Sequence, residues 1–393
     1  MDENASPPLN AAPPSVSTPP PPPLNPPPVI TAPVGSRPPG RGRGWMVFAI
    51  VLVVLLLISM LYNIASFASG LVHGRTPRAY TRVMGPRLDE LIREDNDSAN
   101  KIAVVEVNGI ITSSSLDQSG FNMVELLKTQ LKHAEDDDRV KAVILKVDSP
   151  GGEVMASDEM YRQITDFQER TRKPVVASMG SLAASGGYYI SSPCRWIVAN
   201  ELTITGSIGV IMSSWNYRGL MDKVGLLPQT FKSGKFKDML SGSKEPDKIT
   251  QEERDMIQAL IDQTFARFKM VVQEGRDQAY QNNKNNKGPK DEGQALSENW
   301  QEYADGRVLS GRDALKLGFV DELGGFEDAV NRAKKLVGIS TANLVEYQQR
   351  YDISDLFRLF GKSDTKTIKV DLGMEAPKVQ AGQLYFLSPT YLH

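Results

Sequence analysis

An α/β fold built from repeated βαβ units is expected over residues 99–340, on three observations. Short β-branched runs alternate with stretches of helical period, which implies crossover units and a largely parallel sheet. The runs close on glycine-rich turns, as in Asp148-Ser149-Pro150-Gly151-Gly152. The segments before residue 99 have compositions that cannot contribute to such a core.

The elements follow in order. Residues 1–44 are low-complexity and proline-rich, as in Pro19-Pro20-Pro21-Pro22-Pro23. Such a tail is expected to stay disordered or locally polyproline II, on the cytoplasmic side. Arg37, Arg41 and Arg43 then precede an apolar run from Trp45 to Phe67. This run is long enough for a spanning helix of about 20 residues. The basic flank predicts a cytoplasmic N-terminus and an extracytoplasmic remainder. The long leader favours an uncleaved anchor over a signal peptide, although Ala65-Ser66-Phe67-Ala68 offers a weak cleavage site. Residues 68–98 read as a polar connector, helical around Asp89 to Glu94.

From Lys101 the pattern becomes that of a folded domain. Ile102 to Val107, Val140 to Val147 and Pro174 to Ala177 read as strands, and Val124 to His133 and Ser157 to Arg172 as helices. Gly180 to Ile190 forms a turn into an apolar helix. Trp196 to Ala199 and Ile208 to Met212 read as further strands. Thr250 begins a long helix to Gly275, with Glu253 completing a capping box. Gln281 to Gly293 reads as an exposed loop. Short helices end at Gly318 and Gly338. Residues 341–393 form a less regular tail, with Leu384-Tyr385-Phe386-Leu387 an apolar stretch expected to dock.

Composition limits the function classes. A formal net charge of -2 offers no footprint for nucleic acid. The single cysteine, Cys194, excludes an internal disulfide and reads as a buried structural thiol. Ser185 sits among small residues in Gly180-Ser181-Leu182-Ala183-Ala184-Ser185-Gly186-Gly187-Tyr188-Tyr189-Ile190, at a strand-to-helix turn. A nucleophile fits there, because backbone N–H groups lie near any oxyanion it creates. A tightly packed glycine turn fits the segment equally well. The three histidines, His73, His133 and His393, have no setting suited to a triad base. Lysine is the leading substitute, since burial leaves a neutral amine that can accept the serine proton. The segment Phe231 to Leu240 carries Lys232, Lys235 and Lys237. If it is extended, Lys235 and Lys237 share a face, and spacing does not choose between them. A basic, solvated surface strand would look the same. Gly151 and Gly152 can present N–H groups to an oxyanion. Ser207, in Thr205-Gly206-Ser207-Ile208-Gly209-Val210, can hydrogen-bond a neutral amine, although a turn serine more often bonds local backbone.

Taken in order, DSPGG, GSLAASGGYYIS, TGSIGV, SGKFKDML and ADGRVLSGRDALKLGFVDELGG resemble the signal peptide peptidase A family, peptidase family S49, over roughly residues 100–340. One domain copy makes the chain similar to the short form. The resemblance implies a Clp protease/crotonase-like fold preceded by one transmembrane helix. It implies Ser185 as nucleophile, Lys237 as general base, Gly152 and Gly186 as oxyanion donors, and Ser207 as the hydroxyl orienting the lysine. It further implies an endopeptidase of the bacterial inner membrane, with its catalytic domain periplasmic, acting on signal-peptide remnants or other membrane-associated peptides. A depressed pKa for the base, and activity that rises towards alkaline pH, belong to the same expectation. A ring-like homo-oligomer and contact with the lipid bilayer are implied, with no cofactor or metal. The proline-rich tail has no counterpart in the family pattern. The other readings are a crotonase-like acyl-CoA enzyme, which the extracytoplasmic placement disfavours, and an inactive membrane scaffold, which the presence of both Ser185 and Lys237 disfavours.

Overall fold

The computed structural model describes residues 48–60, 86–114, 121–284, 292–349 and 384–387. The chain divides into two compact units, residues 1–81 and 82–393. Of the first unit, residues 48–60 are described and are helical, with side chains that are almost all exposed. Among the described residues no helix is long and apolar enough to cross a membrane. The rest of the expected span, residues 45–47 and 61–67, and the proline-rich tail lie outside the described residues.

The second unit is an α/β domain around a mixed sheet. Strands β1 (Leu88–Glu94), β2 (Lys101–Asn108), β3 (Val140–Ser149), β5 (Val175–Ala184), β6 (Trp196–Ala199), β9 (Glu322–Leu323) and β10 (Asn343–Gln349) lie in the order β1-β10-β2-β3-β5-β6-β9. From β10 to β9 every neighbouring pair is parallel. The crossovers run through α1 (Met123–Asp136), α2 (Val154–Thr171) and α3 (Gly186–Ser191). In β2, Ala103, Val105 and Val107 enter one core cluster with these helices. Ile102 and Val104 enter the other, beneath α7 (Phe326–Val337). Both faces of the sheet are therefore covered, which is why the strands read as nearly continuous apolar runs. Each fully buried aliphatic side chain contributes about 1.5–3 kcal/mol.

The expected capping box of Thr250 and Glu253 opens α5 (Gln251–Asn283), and a second one, of Asn122 and Glu125, opens α1. Short helices α4 (Arg218–Lys223) and α6 (Gly311–Lys316) complete the set. Helix α7 ends at Gly338 in the left-handed conformation, φ 69°.

Five sequence expectations change. The stretch around Asp89 to Glu94 is not helical. It is edge strand β1, antiparallel to β10 and tied to it by the Arg93–Glu346 ion pair. Its charges suit helical i,i+4 pairing, but sheet pairing satisfies its backbone as well. Ile208 to Met212 forms only an isolated bridge at Ile211; the strand lies earlier, as β7 (Ile204–Gly206), between β5 and β8 (Val308–Ser310). The long helix runs on to Asn283, where the Asn283 side chain is held by Arg195. Residues 343–349 of the irregular tail form β10, paired with β1 and β2. Residues 231–240 are turns, not an extended strand, because the Lys232 amine folds back to the Lys235 carbonyl (3.0 Å) and the Asp238 carboxylate (2.8 Å).

The docking expectation for the apolar tail has a location. Tyr385–Leu387 forms β11, antiparallel to β4 (Gly151–Glu153). Cys194 is buried, which pushes its thiol pKa well above the ordinary value.

Candidate active site

Strand β5 builds the site by changing partners. Val176 to Met179 pair with β6, and Leu182 to Ala184 pair with β7. The switch occurs at Gly180, which packs on the Asp148 side chain: a β-carbon there would lie 3.0 Å from Asp148 Cγ. Asp148 Oδ1 accepts the Leu182 N–H at 3.0 Å, and Thr203 Oγ1 donates to the Gly180 carbonyl at 2.8 Å. These bonds carry the strand forward to Ser185, whose N–H donates to the Gly206 carbonyl at 2.8 Å.

Ser185 is the N-cap of α3 and holds φ 53° and ψ −116°. These are the dihedrals of the first central position of a type II′ turn, where glycine is the usual residue. The residue is 1% exposed, and its Oγ has no hydrogen-bond partner among the described residues. A strained backbone and an unsatisfied buried hydroxyl at one residue cost stability twice over, a combination that clusters at functional sites.

Three glycines, Gly151, Gly152 and Gly186, crowd this turn. A β-carbon on Gly186 would lie 3.0 Å from the Gly152 nitrogen and 2.7 Å from Ser157 Oγ. Gly151 holds φ 100°, and its N–H donates to Ser149 Oγ at 3.1 Å. Gly152 is pressed against Ile111, so a β-carbon there would lie 1.9 Å from the Ile111 carbonyl oxygen. The Gly152 and Gly186 backbones therefore meet beside Ser185. Ser207, buried and at φ 50°, follows the Gly206 carbonyl that receives the Ser185 N–H. The fold thus brings Ser185, Gly152, Gly186 and Ser207 together.

It does not bring Lys237 to them within one chain. Lys237 is exposed on the 231–240 turns and has no side-chain partner among the described residues. Ser185 Oγ makes no hydrogen bond to any described residue, Lys237 included. Lys235 is engaged by Glu252, and Lys232 by Asp238. Residues 215–231 also expose apolar side chains: Trp215 is 81% and Phe231 93% exposed, and Leu220 and Leu227 are exposed as well.

Behind the turn, Tyr189 Oη donates to Asp158 Oδ1 at 2.7 Å. Burial pushes the Asp158 carboxyl pKa up, but the Tyr189 bond and the Arg162 and Arg267 guanidinium groups outweigh it and hold it below the ordinary value. Burial, then the Asp158 bond, pushes the Tyr189 phenol upward. Asp148 and Asp158 were not picked out from sequence as positioning residues. The DSPGG motif carries the signal for Asp148, beside glycines that point to an oxyanion hole. For Asp158 the only local sign is the i,i+4 partner Arg162, an ordinary helix pair; its other partners lie on α3 and α5.

A serine on a strained strand-to-helix turn, facing paired glycine amides in an α/β domain, is the layout of a serine hydrolase. The model of peptidase family S49 matches residues 168–289 and 290–340. A candidate protease of Synechocystis sp. is 37% identical over 276 residues, 70% of this chain and 88% of that protein. A candidate signal peptide peptidase SppA of Enterococcus faecium is 37% identical over 259 residues, 65% of this chain and 69% of that protein. Protease 4 of Haemophilus influenzae is 36% identical over 238 residues, 61% of this chain but 35% of its own length. The chain belongs to peptidase family S49 and is a serine-type peptidase.

Proposed function

We propose that this protein is a membrane-anchored endopeptidase with a Clp protease/crotonase-like fold. It uses a Ser185/Lys237 dyad to hydrolyse signal-peptide remnants or other membrane-associated peptides. The observation that carries the reading is Ser185 itself: a buried hydroxyl, unpartnered, held at a backbone conformation that glycine would normally occupy. The arginines before the apolar run 45–67 support an anchor in the bacterial inner membrane, with the N-terminus cytoplasmic and residues 68–393 on the periplasmic side.

In the proposed reaction Lys237 takes the hydroxyl proton while Ser185 Oγ attacks a peptide carbonyl. The developing oxyanion accepts hydrogen bonds from the Gly152 and Gly186 N–H groups, each worth about 3–4 kcal/mol in the transition state. The protonated lysine then donates to the leaving amine, and water hydrolyses the acyl-enzyme. Ser207 offers a hydroxyl to orient the amine.

Assembly completes this site. An exposed Lys237, an unpartnered Ser185 and the exposed Trp215, Leu220, Leu227 and Phe231 support a homo-oligomer in which one copy supplies its lysine to the next. Ser185→Ala and Lys237→Ala should each abolish peptide hydrolysis, while Lys235→Ala retains it. Mixed oligomers of the two inactive variants should regain part of the activity. Failure of a serine-directed phosphonate to label Ser185 would refute the reading. Loss of activity in Lys235→Ala but not Lys237→Ala would move the base to Lys235.

A further inference from the structure

At the end of the sheet remote from Ser185 the domain holds a cavity of about 470 Å³, a size that takes a small molecule. The last turns of α2, α5 and α7 bound it, together with the residues that lead into β5 and β6. Gln168 ties these entries together: its Oε1 accepts the Val175 and the Arg195 N–H, each at 3.1 Å. Ser185 follows the other end of β5, a strand of 10 residues. That places the cavity about 30 Å from the nucleophile turn, outside its cleft.

Its walls carry unbalanced charge. Arg172, Lys173 and Arg195 line it against one carboxylate, that of the exposed Glu169. Lys173 is committed to the end of α1, where its Nζ donates to the Ala134, Glu135 and Asp137 carbonyls at 2.7, 3.2 and 2.9 Å, so it adds charge to the cavity but no bonds. Among the described residues Arg195 bonds only neutral groups, the Asn283 side chain and the Asn282 carbonyl. Burial, with no opposite charge to offset it, pulls its guanidinium below the ordinary pKa. Arg172 closes α2 in the left-handed conformation, φ 60° and ψ 9°. Glycine is the usual residue at such a helix end, and a long side chain is disfavoured there. An arginine held where glycine is favoured and a half-buried arginine without a counter-charge thus meet at one cavity. An anion between them accounts for both. Pro174, Pro193, Leu336 and Val337 give the same cavity an apolar wall.

We propose that this cavity is a binding site for a small phosphate ester, with Arg172 and Arg195 holding the phosphate and the proline, leucine and valine wall covering its apolar part. Guanidinium forks match phosphate oxygens in pairs, and their hydrogen bonds strengthen where water is excluded. The site is separate from the Ser185 chemistry and does not depend on the peptidase reading. A lipid headgroup and a soluble phosphate ester share the required chemistry.

The test titrates phenyl phosphate and inorganic phosphate into the full chain in a nonionic detergent, by calorimetry at constant ionic strength. Phenyl phosphate should saturate a single site and bind about tenfold or more tighter than inorganic phosphate, because its ring covers the apolar wall. Arg195→Gln and Arg172→Gly should each weaken Kd by about tenfold or more, the loss of a charge-assisted hydrogen bond. Without ligand, Arg172→Gly should raise the urea midpoint, since φ 60° suits glycine, so its weaker binding is not a failure to fold. Competition then separates the two sources. Displacement of phenyl phosphate by phosphatidylglycerol added to the micelles assigns the site to a lipid headgroup. Displacement by glycerol 3-phosphate instead assigns it to a soluble ester. Absence of saturable binding, an unchanged Kd in both variants, or displacement by neither competitor would overturn the proposal.

Discussion

Replacing Ser185 by glycine should make the protein more stable while removing its candidate nucleophile. At φ 53° and ψ −116°, Ser185 holds an L side chain where glycine is favoured, at a cost of about 1–3 kcal/mol. Its buried, unpartnered Oγ costs about 1–3 kcal/mol more. Ser185→Ala removes only the second cost. Ser185→Gly removes both, offset by about 0.5–1 kcal/mol for the greater freedom of glycine in the unfolded chain. The expected order is Gly above Ala above Ser, with Gly ahead of Ala by about 1 kcal/mol. Equilibrium urea unfolding at one pH, followed by tryptophan fluorescence, measures this, provided the m-values agree. If Ala proves as stable as Gly, the turn carries no strain and the argument from backbone geometry fails. A stabilising substitution at a catalytic residue is the usual sign that function has been kept at the expense of stability.

Two further outcomes follow from the packing around the site. Arg276 on α5 and Asp321 form a fully buried ion pair, and Asp321 also accepts the Ile197 and Gln294 N–H groups. Arg276→Met should cost about 3–5 kcal/mol by leaving that carboxylate unpaired, and Asp321→Asn in the same chain should recover part of it, because the neutral amide oxygen still accepts one of those N–H groups. A double-mutant cycle in urea checks this, and a loss under about 1 kcal/mol would contradict it. Asp158 has its carboxyl pKa depressed in the folded state, so its contribution is present above the unfolded value of about 4 and fades as pH falls through the folded value. Asp158→Asn should therefore be less stable than the parent at pH 7, with the gap closing towards pH 3. Urea midpoints at both pH values measure it, and a constant gap would mean that the carboxylate charge is not what matters.

Legibility followed the range of the interactions. Strands β2, β3 and β6 were readable because burial on both faces leaves continuous apolar runs, and α1, α2 and α5 because amphipathic period is local, as is the capping box of α5. Strands β1 and β10 were not, because their backbone partners lie some 250 residues apart in sequence, as in Leu91↔Glu346. At the site, Ser185 and the glycines were visible as a cluster of small residues around a hydroxyl. The strain at Ser185, the Asp148 bond to Leu182 and the Asp158 bond to Tyr189 were not, since each depends on backbone angles or on partners from distant segments.

The sequence by itself determined the α/β class, the family and a short set of candidate residues, because periodicity, turn chemistry and motif order are properties of neighbouring residues. Only the tertiary structure decided which candidates meet. It joined Ser185, Gly152, Gly186 and Ser207, left Lys237 on an exposed surface, and paired Phe386 with Gly152. Those outcomes depend on where β5 changes partners and on which sheet edge remains open, and both are set by long-range pairing and packing.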